Sequence, residues 1–194
     1  MSASLALDNP LATVLVFGPL IGSVVLEHRR FRGDSRRRVS DRTYWALQAW
    51  QVAGLVLGVL FARRSPGAAL PGSEWLWPVL GCSIGLAGVT LRWWAVRTLG
   101  RYFTRNLQVG ADHQLVSDGP YQRVRHPSYT GAILMFAGVG IGLGNSLSLV
   151  ACALLPTIGY VRRIPAEETL LHREIGEPYA EYAQRTDRLV PGIW

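Results

Sequence analysis

A chain of 194 residues with 49% hydrophobic side chains and a mean hydropathy of +0.18 is too apolar for an ordinary soluble domain, although 17% of its residues are charged. Its net charge of +7, carried on the basic side by Arg alone, raises nucleic acid as a partner. No RNA- or DNA-binding motif accompanies the basic runs, and that class is set aside. The apolar residues must therefore be gathered into segments, and the charged ones into the connections between them.

In chain order, the windows 11–26, 44–61 and 75–96 are each nearly free of ionisable groups and each read as one helix across a hydrocarbon core of roughly 30 Å, the first being of marginal length for it. A fourth window, 131–161, is too long for one span and short for two. Gly142, Gly144, Asn145 and Ser146 supply a turn signal in its middle, which predicts a tight helical hairpin of limited depth. The expected fold is thus all-α: a polytopic membrane protein of about five transmembrane helices, the last two forming a hairpin. We divide it into an N-terminal three-helix membrane region, 1–98, and a membrane-associated region, 99–194, that holds the chemistry in its loop, hairpin and C-terminal segment. The first 26 residues lack the positively charged leader of a secretory signal, so the N-terminal segment is expected to remain.

Seven Arg lie between the first two spans (Arg29, Arg30, Arg32, Arg36, Arg37, Arg38 and Arg42), against only Arg63 and Arg64 in the next loop. With the N-terminus outside, 17 of the 20 Arg fall on the cytoplasmic side, as the positive-inside rule requires. An anionic headgroup layer is the natural partner of the first run. Arg92, beside Trp93 and Trp94, is expected to snorkel to the interface. Cys82 and Cys152 read as small buried residues, with neither a metal nor a disulfide implied.

The string Gly138, Gly140, Gly142, Gly144 imitates a dinucleotide loop but interrupts an apolar hairpin instead of joining a strand to a helix. Its small-x3-small spacing recurs at Gly18/Gly22, Gly54/Gly58 and Gly81/Gly85, which predicts close helix packing.

Polar chemistry is concentrated in two stretches on the cytoplasmic side. The first holds Gln108, Asp112, His113, Gln114 and the run GPYQRVRHPSYTG from Gly119 to Gly131. The second begins at Val161 and carries Arg162, Arg163, Glu167, Glu168, Gly176, Tyr179 and Tyr182. The hairpin should bring Arg125, His126 and Tyr129 near Arg163 and Glu167. Convergent charged groups at a membrane surface are costly to desolvate unless they serve one another or a ligand. Arg and His suit a carboxylate or phosphate, Glu a ribose diol or ammonium, and the amide of Gln108 an adenine edge.

The run HQLVSDGPYQRVRHPSYTG from His113 to Gly131, followed by Arg163, Glu167, Glu168 and the Gly176, Tyr179, Tyr182 tail, resembles the isoprenylcysteine carboxyl methyltransferase family and, more widely, phospholipid methyltransferases. The resemblance implies S-adenosyl-L-methionine as cofactor, bound by Gln108, His113, Gln114, Leu115, Val116, Tyr121, Arg125, His126, Pro127, Ser128, Tyr129 and Glu167. It places Arg163 beside the methyl acceptor, with Arg163 and Glu167 as the catalytic pair. A carboxylate acceptor needs only orientation by Arg163; an amine or thiol needs a base, for which Glu167, Glu168 and His126 are candidates. The all-Arg usage suggests a bacterial inner membrane and a lipid or small apolar acceptor. Two alternatives remain: an NADPH-dependent sterol-type reductase with a similar hairpin, and a non-enzymatic membrane scaffold.

Overall fold

The computed structural model describes residues 5–31, 42–102 and 115–194. Among these residues the chain is all-helical: α1 (Leu5–Asp8), α2 (Pro10–Phe31), α3 (Arg42–Arg64), α4 (Leu76–Leu99), α5 (Pro127–Gly142), α6 (Ser146–Ile175) and α7 (Glu177–Arg185). The helix ends follow local chemistry. Asn9 caps α2, its Oδ1 accepting from the amides of Leu11 at 2.9 Å and Ala12 at 3.3 Å, with Pro10 in the first helical position. Asn145 caps α6 by accepting from Ser148 N at 3.1 Å.

Helices α2, α3, α4 and α6 are long and apolar enough to cross a membrane, and their exposed Leu, Val, Ile and Trp side chains provide a lipid-facing surface. Helix α5, with 16 residues, is about 24 Å long at 1.5 Å per residue. It is the shorter arm of the expected hairpin. Helix α6 differs from expectation in the other direction. It has 30 residues and runs without interruption past Val161 to Ile175, so the second polar stretch starts as a continuation of the membrane helix. Pro156 and Pro165 lie within it.

Helix α5 is the hub, packed on α4 and α6, while α2 lies on α4 and α5 and α3 on α6. Glycine permits the α4–α5 contact: a Cβ on Gly88 would stand 2.5 Å from Gly131 O, and one on Gly81 would collide with Gly138 O. Gly54 and Gly58 similarly face Pro156 and Cys152 of α6. The pair Gly18/Gly22 is a correction. Gly22 has nothing within 4 Å and Gly18 meets only Val14 of its own helix, so that spacing marks no packed face. Cys152 is fully buried, whereas Cys82 is partly exposed on α4, contrary to the expectation that both are buried.

At one end of the bundle, Leu70 N donates to Gly144 O at 2.9 Å and Asn145 Nδ2 to Ser65 O at 2.9 Å, which moors the α5–α6 turn to the connection between α3 and α4. The polar chemistry collects at the opposite end.

Candidate active site

Helix α6 presents Arg163 and Glu167 one turn apart on the same face. Tyr129, in the first turn of α5, sits between them. Its Oη donates to Glu167 Oε2 at 2.5 Å and accepts from Arg163 Nε at 3.0 Å. The Tyr129 ring stacks on His126, centroids 5.4 Å apart, and meets Tyr160 at 4.6 Å. Tyr160 in turn accepts from Gln51 Nε2 of α3 at 2.8 Å. Arg163 is 4% exposed, a buried charge whose Nε is held by the Tyr129 hydroxyl.

A second cluster lies behind the first. The carboxylate of Glu168 accepts from Arg125 Nε at 2.8 Å and Arg188 Nε at 3.0 Å, and His126 Nε2 lies 3.4 Å from it. Arg125 also donates through Nη1 to Ala183 O at 2.8 Å and to Thr186 O. The backbone continues this closure: Arg125 N donates to Asp187 O at 2.7 Å, His126 N to Arg188 O at 3.0 Å, and Asp187 N to Arg123 O at 3.0 Å. Thr130 Oγ1 adds a bond to Leu189 O at 2.7 Å. Residues 186–190 thus form a strap across the turn that leads into α5. Tyr182 Oη donates to Tyr121 O at 2.8 Å. Burial pushes the Tyr182 phenol up to about 12 and raises those of Tyr121 and Tyr179 as well, so all three stay protonated near neutral pH.

In front of these groups is a cavity of about 300 Å³. At its polar end are Leu115, Val116, Tyr121, Arg125, His126, Ser128, Tyr129, Arg163 and Glu167; its apolar end reaches Leu20 and Val24 of α2, Leu47 of α3, and Met135 and Phe136 of α5. Most of the residues expected from sequence therefore face one space. Pro127 does not line it; it is buried as the first residue of α5. Gln108, His113 and Gln114 fall outside the described residues. Glu168 was a candidate base, but its two oxygens are held by two guanidinium groups with His126 beside them, which gives it a structural place.

Arg92 also departs from expectation. Its Nη2 contacts both carboxylate oxygens of Glu27, at 3.1 and 3.0 Å, and its Nη1 donates to Ser128 O at 3.1 Å. A counter-charge on α2 holds it in the cavity wall, where pairing between helices replaces snorkelling. Gln48 and Gln51 of α3 line the same wall and were missed. Two amides in an otherwise apolar span were the signal that could have found them.

Residues 79–173 match the family model described as the isoprenylcysteine carboxyl methyltransferase (ICMT) family. Protein-S-isoprenylcysteine O-methyltransferase B of Arabidopsis thaliana is 37% identical over 127 residues, which are 63% of this chain and 64% of that protein. The protein-S-isoprenylcysteine O-methyltransferase of Tribolium castaneum is 34% identical over 59% of this chain and 41% of its own length. The chain thus spans less than two thirds of the length of these relatives. Among solved structures, that of the eukaryotic intramembrane Ras methyltransferase ICMT is similar with a TM-score of 0.69 and 25% identity, covering 97% of this chain and 70% of the other.

Proposed function

We propose that this chain is a member of the isoprenylcysteine carboxyl methyltransferase family, an integral membrane methyltransferase that esterifies the carboxylate of a lipophilic, isoprenylcysteine-like acceptor with S-adenosylmethionine as donor. The observation that carries the reading is one cavity that gathers a buried Arg, a Glu and a Tyr together with aliphatic side chains from the membrane helices, whose Glu27, Gln48, Gln51 and Arg92 line it as well. Its volume suits small-molecule ligands. The polar end fits the donor chemically: Glu167 can accept from hydroxyl or ammonium groups, and Tyr121, Tyr129, Leu115 and Val116 offer apolar surface beside it.

When bound, S-adenosylmethionine supplies a methyl group on a sulfonium, an electrophile that an ionised carboxylate attacks without a base. Arg163 would hold that carboxylate by charge-assisted hydrogen bonds, and Tyr129 fixes the guanidinium through its Nε. The aliphatic side chains of the lining would receive the acceptor's tail, and the bound tail would keep water from the reacting groups. Leu20 and Val24 of α2 and Leu47 of α3 line the cavity, and Val24 is also 60% exposed on a membrane-length helix, which supports lateral access between these helices.

All the relatives named above are methyltransferases, which favours this reading over the reductase and scaffold alternatives. Those relatives come from a plant and an insect, so the bacterial membrane suggested by Arg usage gains no support from them. The polar end is assigned to the cytosolic side on the Arg distribution.

The test incubates purified protein in nanodiscs with methyl-labelled S-adenosylmethionine and, separately, N-acetyl-S-farnesylcysteine, its carboxamide, or phosphatidylethanolamine. Base-labile label on the farnesylcysteine alone is the expected result. Label on the phospholipid amine, or none on the carboxylate, would overturn the acceptor assignment.

A further inference from the structure

A phenol can donate one hydrogen bond and accept others. Tyr129 uses both capacities on opposite charges, donating to Glu167 at 2.5 Å while accepting from Arg163 at 3.0 Å. Its ring is not free to drift. His126 stacks on it, Tyr160 abuts it at 4.6 Å, and Tyr160 is tied at 2.8 Å to Gln51 of α3. One oxygen, positioned by three helices, therefore lies between a cation and an anion in a site of low exposure, where electrostatic interactions are stronger than in water.

We propose that Tyr129 is a positioning residue that couples the two ligands of the site, its hydroxyl linking Arg163 on the acceptor side to Glu167 on the donor side. The inference rests on the reading above for which ligand each of those side chains meets. Without ligands, Glu167 draws on the positive potential of Arg163 through the shared oxygen. A hydroxyl or ammonium group at Glu167 answers that carboxylate and leaves more of the guanidinium's potential for an incoming carboxylate. The converse follows by linkage: a carboxylate on Arg163 frees Glu167 for the donor by the same factor. An aromatic residue that served only as a wall would let the two ligands bind independently.

The experiment is a calorimetric titration of S-adenosylhomocysteine into the full chain in nanodiscs, with and without saturating N-acetyl-S-farnesylcysteine. The wild type should bind S-adenosylhomocysteine at least about five-fold more tightly with the acceptor present, the lower end of ordinary coupling. Tyr129→Phe, which keeps the ring and removes the hydroxyl, should bind each ligand and lose that factor. Glu167→Gln, which removes the anion, should also lose it and keeps the proposal testable if Tyr129→Phe does not fold. Tyr160→Phe, which loses the tie to Gln51 but leaves both hydrogen bonds of Tyr129 in place, should weaken the coupling less than Tyr129→Phe does. Equal affinity with and without acceptor in the wild type, or undiminished coupling in Tyr129→Phe, would overturn the proposal. Failure of the wild type to bind S-adenosylhomocysteine at all would instead overturn the methyl-transfer reading on which it stands.

Discussion

Replacing Gly88 by Ala should damage the reaction from a position that touches no ligand. The added Cβ would lie 2.5 Å from Gly131 O, 2.8 Å from Met135 N and 3.0 Å from Leu134 Cβ, against at least 3.4 Å in ordinary contact. The shortfall of about 0.9 Å is against backbone, so no side-chain rotation relieves it, and α4 and α5 must separate or slide. Such overpacking costs about 1–3 kcal/mol. Tyr129 lies two residues before Gly131 in the same helix and would move with it. Added to the 3.0 Å between Arg163 Nε and Tyr129 Oη, a displacement of that size breaks the hydrogen bond, whose reach is about 3.2 Å. A misplacement on this scale lowers kcat/KM by roughly 100-fold. The assay is methyl transfer to N-acetyl-S-farnesylcysteine, run beside a thermal melt, with Gly22→Ala as a control because nothing lies within 4 Å of its added carbon. A Gly88→Ala protein that melts lower but retains wild-type kcat/KM would refute the link between this packing and Tyr129.

Arg163→Ala should abolish turnover while leaving S-adenosylhomocysteine affinity nearly intact, and Glu167→Ala should weaken that affinity; equal losses of both in the first variant would sink the division of roles. Glu168→Gln leaves Arg125 and Arg188 without their shared anion and should cost about 3 kcal/mol, the lower end for a broken buried ion pair. A melting temperature within a degree or so of wild type would show that the cluster is not structural. Tyr182 titrates near 12 when folded against 10.0 when free, so its contribution to stability is complete below pH 10 and is lost as pH rises through about 12. Tyr182→Phe should flatten the fall in melting temperature over that window. Tyr121 and Tyr179 are raised in the same direction, so a residual slope is expected.

The hairpin was legible because its signal is local: Gly144 takes φ +64° and Asn145 caps the next helix, and both roles are written in residue type. Arg163 and Glu167 were legible because the hairpin returns their segment to the Arg125–Tyr129 turn and because the motif resembles that of the family, not because of any helical period. The length of α6 was not, since Arg162, Arg163 and Pro165 look like the end of a membrane helix when only polarity is considered. In the fold they continue it, with Arg163 turned to the cavity and Arg162 over the Trp50 ring at 5.2 Å. The partnership of Glu27 with Arg92 joins residues far apart in sequence, and no period or motif announces it. The same holds for the strap, whose few backbone bonds between 123–126 and 187–188 have no strand pattern to betray them.

That strap also sets an order of events. The ribosome releases the apolar helices and the turn from Arg123 to Tyr129 well before it releases Thr186 to Val190, at about 5–20 residues per second. Until then Arg125 lacks the Thr186 carbonyl, Glu168 lacks Arg188, and His126 N has no acceptor from the strap. A nascent chain can therefore be inserted and anchored while its chemistry is still unassembled. Chains halted at Arg185 should reach the membrane yet fail to retain S-adenosylhomocysteine, making synthesis of the strap itself a checkpoint on activity.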